Sequence, residues 1–246
     1  MSLYLSRVPR IWRAAICLIA ILNAGCASAA TGAGQAGPPP PGTPAAALHQ
    51  LMTGSAQFTI SVEQVPAQGH VASGTGTLSP AASSSTALIN VAGGGTTELR
   101  ETNGTLRLRS YNTPAQRQSA QWVTLDKQIA ANVLAWPPTA MDDPTFAFVS
   151  ADWPSVLAAN LVRSRPLGHR TINGVAVRGY QLYLRLFRAA GSEPGPELDG
   201  WIDGSGRLRI VTLHWPATEN TAGNGPAPSS SAQDWINVTL DLYGFR

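Results

Sequence analysis

Two Asn-Gly pairs, Asn103-Gly104 and Asn173-Gly174, each lie between runs of alternating apolar and polar residues. A two-residue type I′ turn needs two consecutive positive φ angles, which Asn-Gly supplies at least cost, and it joins antiparallel strands. Each pair therefore dictates a hairpin. In the arm after the first pair, Leu106 and Leu108 face one way and Arg107 and Arg109 the other. After the second, Tyr180, Leu182, Leu184 and Leu186 share a face, whereas Val175 and Val177 have the opposite parity. That switch predicts a bulge at Gly179. A third hairpin turns at Asp203-Gly204-Ser205-Gly206, between Leu198–Asp203 and Arg207–Trp215.

The alternation continues on both sides of these hairpins. Phe58, Ile60 and Val62 open the series. Gly69–Leu78 is extended but nearly bare, with Ala72, Gly74 and Gly76 on one face. Ala87–Val91, Thr96–Thr102 and Trp122–Leu125 complete a first meander. Ile236, Val238, Leu240 and Leu242 line a last strand, Trp235–Phe245. The middle of the chain breaks the pattern. Ile129, Val133 and Trp136 recur at helical spacing before Pro137-Pro138, and Asp143-Pro144 begins a turn carrying Phe146, Phe148 and Val149. Asp152 is placed to cap a helix with Trp153, Val156, Leu157 and Leu161 on one stripe. Thr43 and Pro44 start another short helix that runs to Met52 and ends at Gly54. Residues 217–233 read as a polar loop. About nine or ten antiparallel strands with helices inserted mid-chain give an α+β class.

Upstream of the strands lies an export signal. Arg7, Arg10 and Arg13 precede the apolar run Ala14–Leu22, and Gly25 precedes Cys26. The run is too short to span a bilayer, which takes about 20 apolar residues. A Cys at the cut site points to a lipoprotein signal, in which the thiol takes a diacylglycerol and becomes the new N-terminus. Asn23 stands where such signals usually carry Leu, and plain secretion with cleavage after Ala27 or Ala29 is the alternative. The organisation expected is a signal over 1–25, a lipidated Cys26 with a Pro/Gly-rich tether over 26–43, and a folded domain over 44–246. The product would be exported and held on the extracytoplasmic face of the cell membrane.

Composition limits the partners. Three of the 17 basic residues lie in the signal, and the 14 that remain match 14 acidic ones. Bulk charge therefore recruits no nucleic acid. Lys127 is the only lysine, so no polybasic patch of the kind that grips anionic lipid is expected. Cys17 leaves with the signal and an acylated Cys26 cannot pair, so the domain rests on its core without a disulfide.

No reactive constellation stands out. His49, His70, His169 and His214 lack metal-ligand spacing. A Gly-x-Ser-x-Gly elbow is absent. Asp142-Asp143 is read as a cap before Pro144, and Ser205 as a turn residue. The glycines at 32, 34 and 37 match a dinucleotide fingerprint in letters only, because a coil precedes them and prolines follow. No catalysis, cofactor or metal is expected. The positive signal is apolar. Ala72, Gly74 and Gly76 either let a helix pack close or leave room for an apolar ligand.

Three stretches carry a family resemblance: Ile172-Asn173-Gly174-Val175-Ala176-Val177, Trp201-Ile202-Asp203-Gly204-Ser205-Gly206-Arg207-Leu208, and Val238-Thr239-Leu240-Asp241-Leu242-Tyr243-Gly244. With the signal, tether and order of parts, the chain resembles the LppX/LprG-type mycobacterial lipoproteins of the LolA-like superfamily. The resemblance implies a single large curved antiparallel sheet, a half-open barrel, with short helices on its concave face. It also implies that this face holds the acyl chains of a lipid or glycolipid for transport in the cell envelope. The lining expected from parity is Phe58, Ile60, Val62, Ala72, Gly74, Gly76, Leu106, Leu108, Tyr180, Leu182, Leu184, Ile236, Val238 and Leu240. The roof would come from Trp136, Phe146, Phe148, Val156, Leu157 and Leu161. Two alternatives stay open: a sensory or protein-interaction module on the same fold with a collapsed cavity, and an envelope hydrolase.

Overall fold

The alternating segments become eleven strands of one antiparallel sheet. The structure is a computed structural model and describes residues 39–246 except 66–68, 128, 131–145, 188–195 and 217–234. A first meander comprises β1 (Ala56–Val65), β2 (Gly69–Ser79), β3 (Ser84–Val91), β4 (Thr96–Thr102), β5 (Thr105–Tyr111) and β6 (Val123–Thr124). A second comprises β7 (Leu161–Ile172), β8 (Val175–Leu184), β9 (Glu197–Asp203), β10 (Leu208–Pro216) and β11 (Trp235–Tyr243). Helix α1 (Pro44–Met52) precedes β1, and α2 (Trp153–Asn160) precedes β7.

The order across the sheet is β6-β5-β4-β3-β2-β1-β11-β10-β9-β8-β7. The two meanders thus meet at a central seam, where Phe58 pairs with Leu242 and Val62 with Val238. The sheet is curved and stays open, with β6 and β7 as its edges. Both Asn-Gly turns have the type I′ signature: φ is 50° and 72° at Asn103 and Gly104, and 49° and 78° at Asn173 and Gly174.

All the described strands, both helices and the main hydrophobic cluster lie within Pro39–Arg246, which forms one compact unit. The described core therefore lies wholly within that unit.

Three local expectations are corrected. Pairing of β8 with β9 runs straight through Gly179, opposite Trp201, and the irregularity lies instead on β7, between Pro166 and Gly168. Gly179 is needed for another reason: a Cβ there would run into the Trp201 ring. Asp152 does occupy the cap position of α2, but its side chain makes no capping hydrogen bond. Leu161 is not on the helical stripe. It is the first residue of β7, which begins six residues earlier than the expected Leu167 because extended backbone follows α2 directly. The segment 131–145, with Trp136, Asp142 and Asp143, and the loop at 217–233 lie outside the described residues, as do Cys26 and the signal.

Candidate functional site

The core-facing side of the sheet brings together nearly all of the expected lining. Phe58, Ile60 and Val62 alternate with exposed or half-exposed neighbours along β1, and their pleat mates are Gly76, Gly74 and Ala72 on β2. Leu242, Leu240 and Val238 flank them on β11. Leu106, Tyr180, Leu182 and Leu184 are buried on the same side, and Leu108 and Ile236 pack against it half-buried. Small residues on β2 do not leave empty space. A Cβ on Gly74 would meet the Ile60 side chain and the Leu88 carbonyl, and one on Gly76 would meet the Phe58 ring and the Thr86 carbonyl.

The helices α1 and α2 pack on this face. Thr43 caps α1 by accepting from the Ala46 N–H at 3.3 Å, and Pro44 fits the first turn, where its missing N–H costs nothing. Ala47, Leu48 and Leu51 turn inward. From α2 come Trp153, Pro154 and Leu157. Ahead of α2 the chain is buried from Ala147 to Ala151. The Phe148 ring meets Trp153 edge to face, with centroids 5.3 Å apart. Phe146, Val156 and Leu161 pack against the cluster from its margin. The Trp153 indole N–H is buried, and among the described residues it has no hydrogen-bond partner.

A carboxylate fastens this roof. Glu101 sits on the core side of β4, 3% exposed. Its Oε2 accepts from the Ala151 backbone N–H at 2.6 Å and from Ser85 Oγ at 3.1 Å. Burial pushes its pKa up, and the two hydrogen bonds oppose that rise. Parity signals the inward position, since Glu101 shares a face with Leu99, but a lone acid in a strand gave no reason to expect a latch.

Tyr180, expected in the lining, spends its hydroxyl on the chain itself. It donates to the Gly42 carbonyl at 3.3 Å, just before α1. A cleft of about 370 Å³ opens beside this contact, lined by Pro41, Gly42, His169, Arg178 and the turn at Gly204 and Ser205. A second cleft of about 530 Å³ is lined by outward residues of β1 to β4 such as Thr75, Thr77, Thr86 and Arg100, with Arg117 and Tyr243. Neither opens between the sheet and its helices.

The outer face carries charge that the sequence reading missed. Glu98 is 7% exposed at its side chain and accepts from Arg109 at 2.8 Å, from Arg117, and from the Tyr111 hydroxyl at 3.0 Å. Burial works against its ionisation, yet the Arg117, Arg109 and Tyr111 hydrogen bonds outweigh that and hold its pKa below the usual carboxylate value. Arg100 and Arg109 stack on Trp122, 4.5 and 4.7 Å from the ring centre. On β10, His214 contacts Asn237 at 2.8 Å and Asp199 at 3.4 Å, and the Asp199 carboxylate raises the imidazole pKa against a smaller effect of burial. Among the described residues no three metal-ligating side chains converge, and no helix is long and apolar enough to cross a membrane.

An open antiparallel meander with helices laid on one face is what the sequence resemblance implies. Solved structures with similar folds include the lipoprotein LppX of Mycobacterium tuberculosis, 9% identical, with a TM-score of 0.46 over 82% of this chain and 94% of that one. LprF of Mycobacterium bovis is 11% identical, with a TM-score of 0.41 over 82% and 90%. A LolA-superfamily protein of Nitrosomonas europaea is 11% identical, with a TM-score of 0.32 over 81% and 90%. No family model matches the sequence, and no curated protein matches it.

Proposed function

We propose that this is an envelope lipoprotein, anchored through Cys26, whose LolA-like domain takes the acyl chains of a lipid or glycolipid against its concave face and carries them within the envelope. The observation that supports this reading is the continuity of the apolar surface. Both meanders and both helices contribute to one cluster, and its single unpartnered buried side-chain polar atom among the described residues is the Trp153 indole N–H. An ester carbonyl would satisfy that donor. Each methylene moved from water into such a surface gains about 0.8 kcal/mol. Phe58 and Ile60 occupy the space over Gly76 and Gly74, so loading a chain requires the roof to part from the sheet. The residues expected to line the path are those on the concave face, with Phe146, Phe148, Val156 and Leu157 above them.

The same closure favours a second reading, a non-catalytic sensory or protein-interaction module with no open cavity. Native mass spectrometry of Cys26→Ala protein from a lipid-containing host separates the two. Co-purifying long-chain lipid is the expected result. Absence of any lipid, with no uptake of lipid added in detergent-free buffer, selects the second reading.

A further inference from the structure

The mature sequence is neutral as a whole, but the fold segregates its charge. From Leu161 to Phe187, across β7, β8 and the first residues beyond, there are five arginines and no acid: Arg163, Arg165, Arg170, Arg178 and Arg185. All five are exposed, and among the described residues none forms an ion pair. Arg163 lies over the Tyr183 ring at 4.3 Å, and Arg170 over the Trp201 ring at 3.6 Å. The acids of neighbouring β9 have hydrogen-bond partners of their own, although Asp199 also attracts Arg170. Asp203 accepts from Ser205 and Arg207 in its own turn, Asp199 meets His214, and Glu197 meets Gln181.

The free edge β7 is also irregular in a particular way. Its register against β8 shifts between Leu161 and Arg163 and again between Pro166 and Gly168. The added residues are Val162 and Leu167, which are 62% and 39% exposed. A bulge re-aims side chains. Here both bulges leave apolar side chains in the open beside arginines, and Leu186, just past β8, is exposed with them. Two bulges, Pro166 and a row of cations also prevent a further strand from pairing with this edge. A strand-adding protein is therefore a poor occupant.

The start of the described domain lies at this hairpin too. The Tyr180 hydroxyl on β8 donates to the Gly42 carbonyl, just ahead of α1. We infer that the β7–β8 edge is a membrane-docking surface for anionic phospholipid headgroups. Its arginines engage lipid phosphates, for which the guanidinium fork is suited. Val162, Leu167 and Leu186 enter the interfacial layer, where Tyr183 and Trp201 are also at home. The orientation of the domain rests on the anchoring reading above. The surface itself does not need Cys26.

The test uses Pro39–Arg246, which lacks the anchor and contains the whole described core. It is sedimented with vesicles of equimolar phosphatidylglycerol and phosphatidylcholine, or of phosphatidylcholine alone, at low and at high salt. Binding is expected only to the anionic vesicles and only at low salt. Each arginine near an anionic surface is worth roughly fivefold in partitioning, so a triple Arg163→Gln, Arg165→Gln, Arg185→Gln variant should bind about a hundredfold more weakly. Arg107→Gln, at the opposite end of the sheet, should bind as wild type, and circular dichroism should show all variants folded. Equal binding to both vesicle types, binding to neither, or a triple variant that binds as wild type overturns the inference. Cys26→Ala fractionation of the full chain in cells tests the anchor separately, so loss of one reading is distinguishable from loss of the other.

Discussion

The Phe58 ring lies across Gly76, in the place where a side chain on β2 would stand. The bare stretch of β2 is therefore the counterpart of a bulky stretch of β1, two strands sharing one layer of volume. Gly76→Leu should force the ring aside and cost roughly 1–3 kcal/mol of stability. A urea titration of the variant against wild type measures it. An unchanged midpoint would mean that the face has free volume at this position.

The Glu98 cluster should matter most above acidic pH. Its folded pKa is lowered, so its contribution is present above the ordinary carboxylate value and disappears as pH falls through the folded value. Glu98→Gln should cost about 1–3 kcal/mol at neutral pH, since the hydrogen bonds lost are to charged donors. The gap between variant and wild type should narrow in acid. Denaturation curves across a pH series check both statements.

Glu101 has the opposite sign. Its folded pKa is raised by burial, so the stability it brings is complete below the ordinary carboxylate value and is lost as pH rises through the folded value. Glu101→Gln stays neutral and keeps an acceptor for Ala151 and Ser85. It should match wild type in acid and exceed it in stability at neutral pH. A neutral-pH loss would show that the charge itself strengthens the latch.

His214 provides a spectroscopic check on the outer face. Its pKa is raised, chiefly by Asp199, so the linked stability is full below the ordinary imidazole value and declines as pH passes the folded one. The ring proton resonances should titrate above that ordinary value. Asp199→Asn should bring the midpoint down. A midpoint indifferent to Asp199 would contradict the contact.

Much of this fold was legible because Asn-Gly turns fix register as well as connection. Counting outward from Asn103-Gly104 places Glu98 opposite Arg109 and Glu101 opposite Leu106, as observed. The pairing of Glu98 with Arg109 was thus available in the sequence and went unread. Arg117 was not available, because it arrives on a 3-10 turn, Pro114–Arg117, that folds back over the sheet. Nor were the two irregularities of β7: a strand with added residues loses the two-residue period on which facing is read. The bulge expected at Gly179 was displaced to Leu167 for that reason. Whole-chain neutrality concealed the basic hairpin, since a sum carries no positions.

The seam between β1 and β11 also governs when the protein can finish folding. Each meander grows from neighbouring hairpins, which close short loops and form fast. Phe58 cannot meet Leu242 until nearly the whole domain has been delivered. Until then the nascent chain holds two half-sheets, each with an unpaired inner border rich in Phe, Ile, Val and Leu, and such borders invite aggregation. The vulnerable moment therefore belongs to the middle of the finished sheet. A chain cut short before Trp235 would keep both halves of its architecture and lose the strand that joins them.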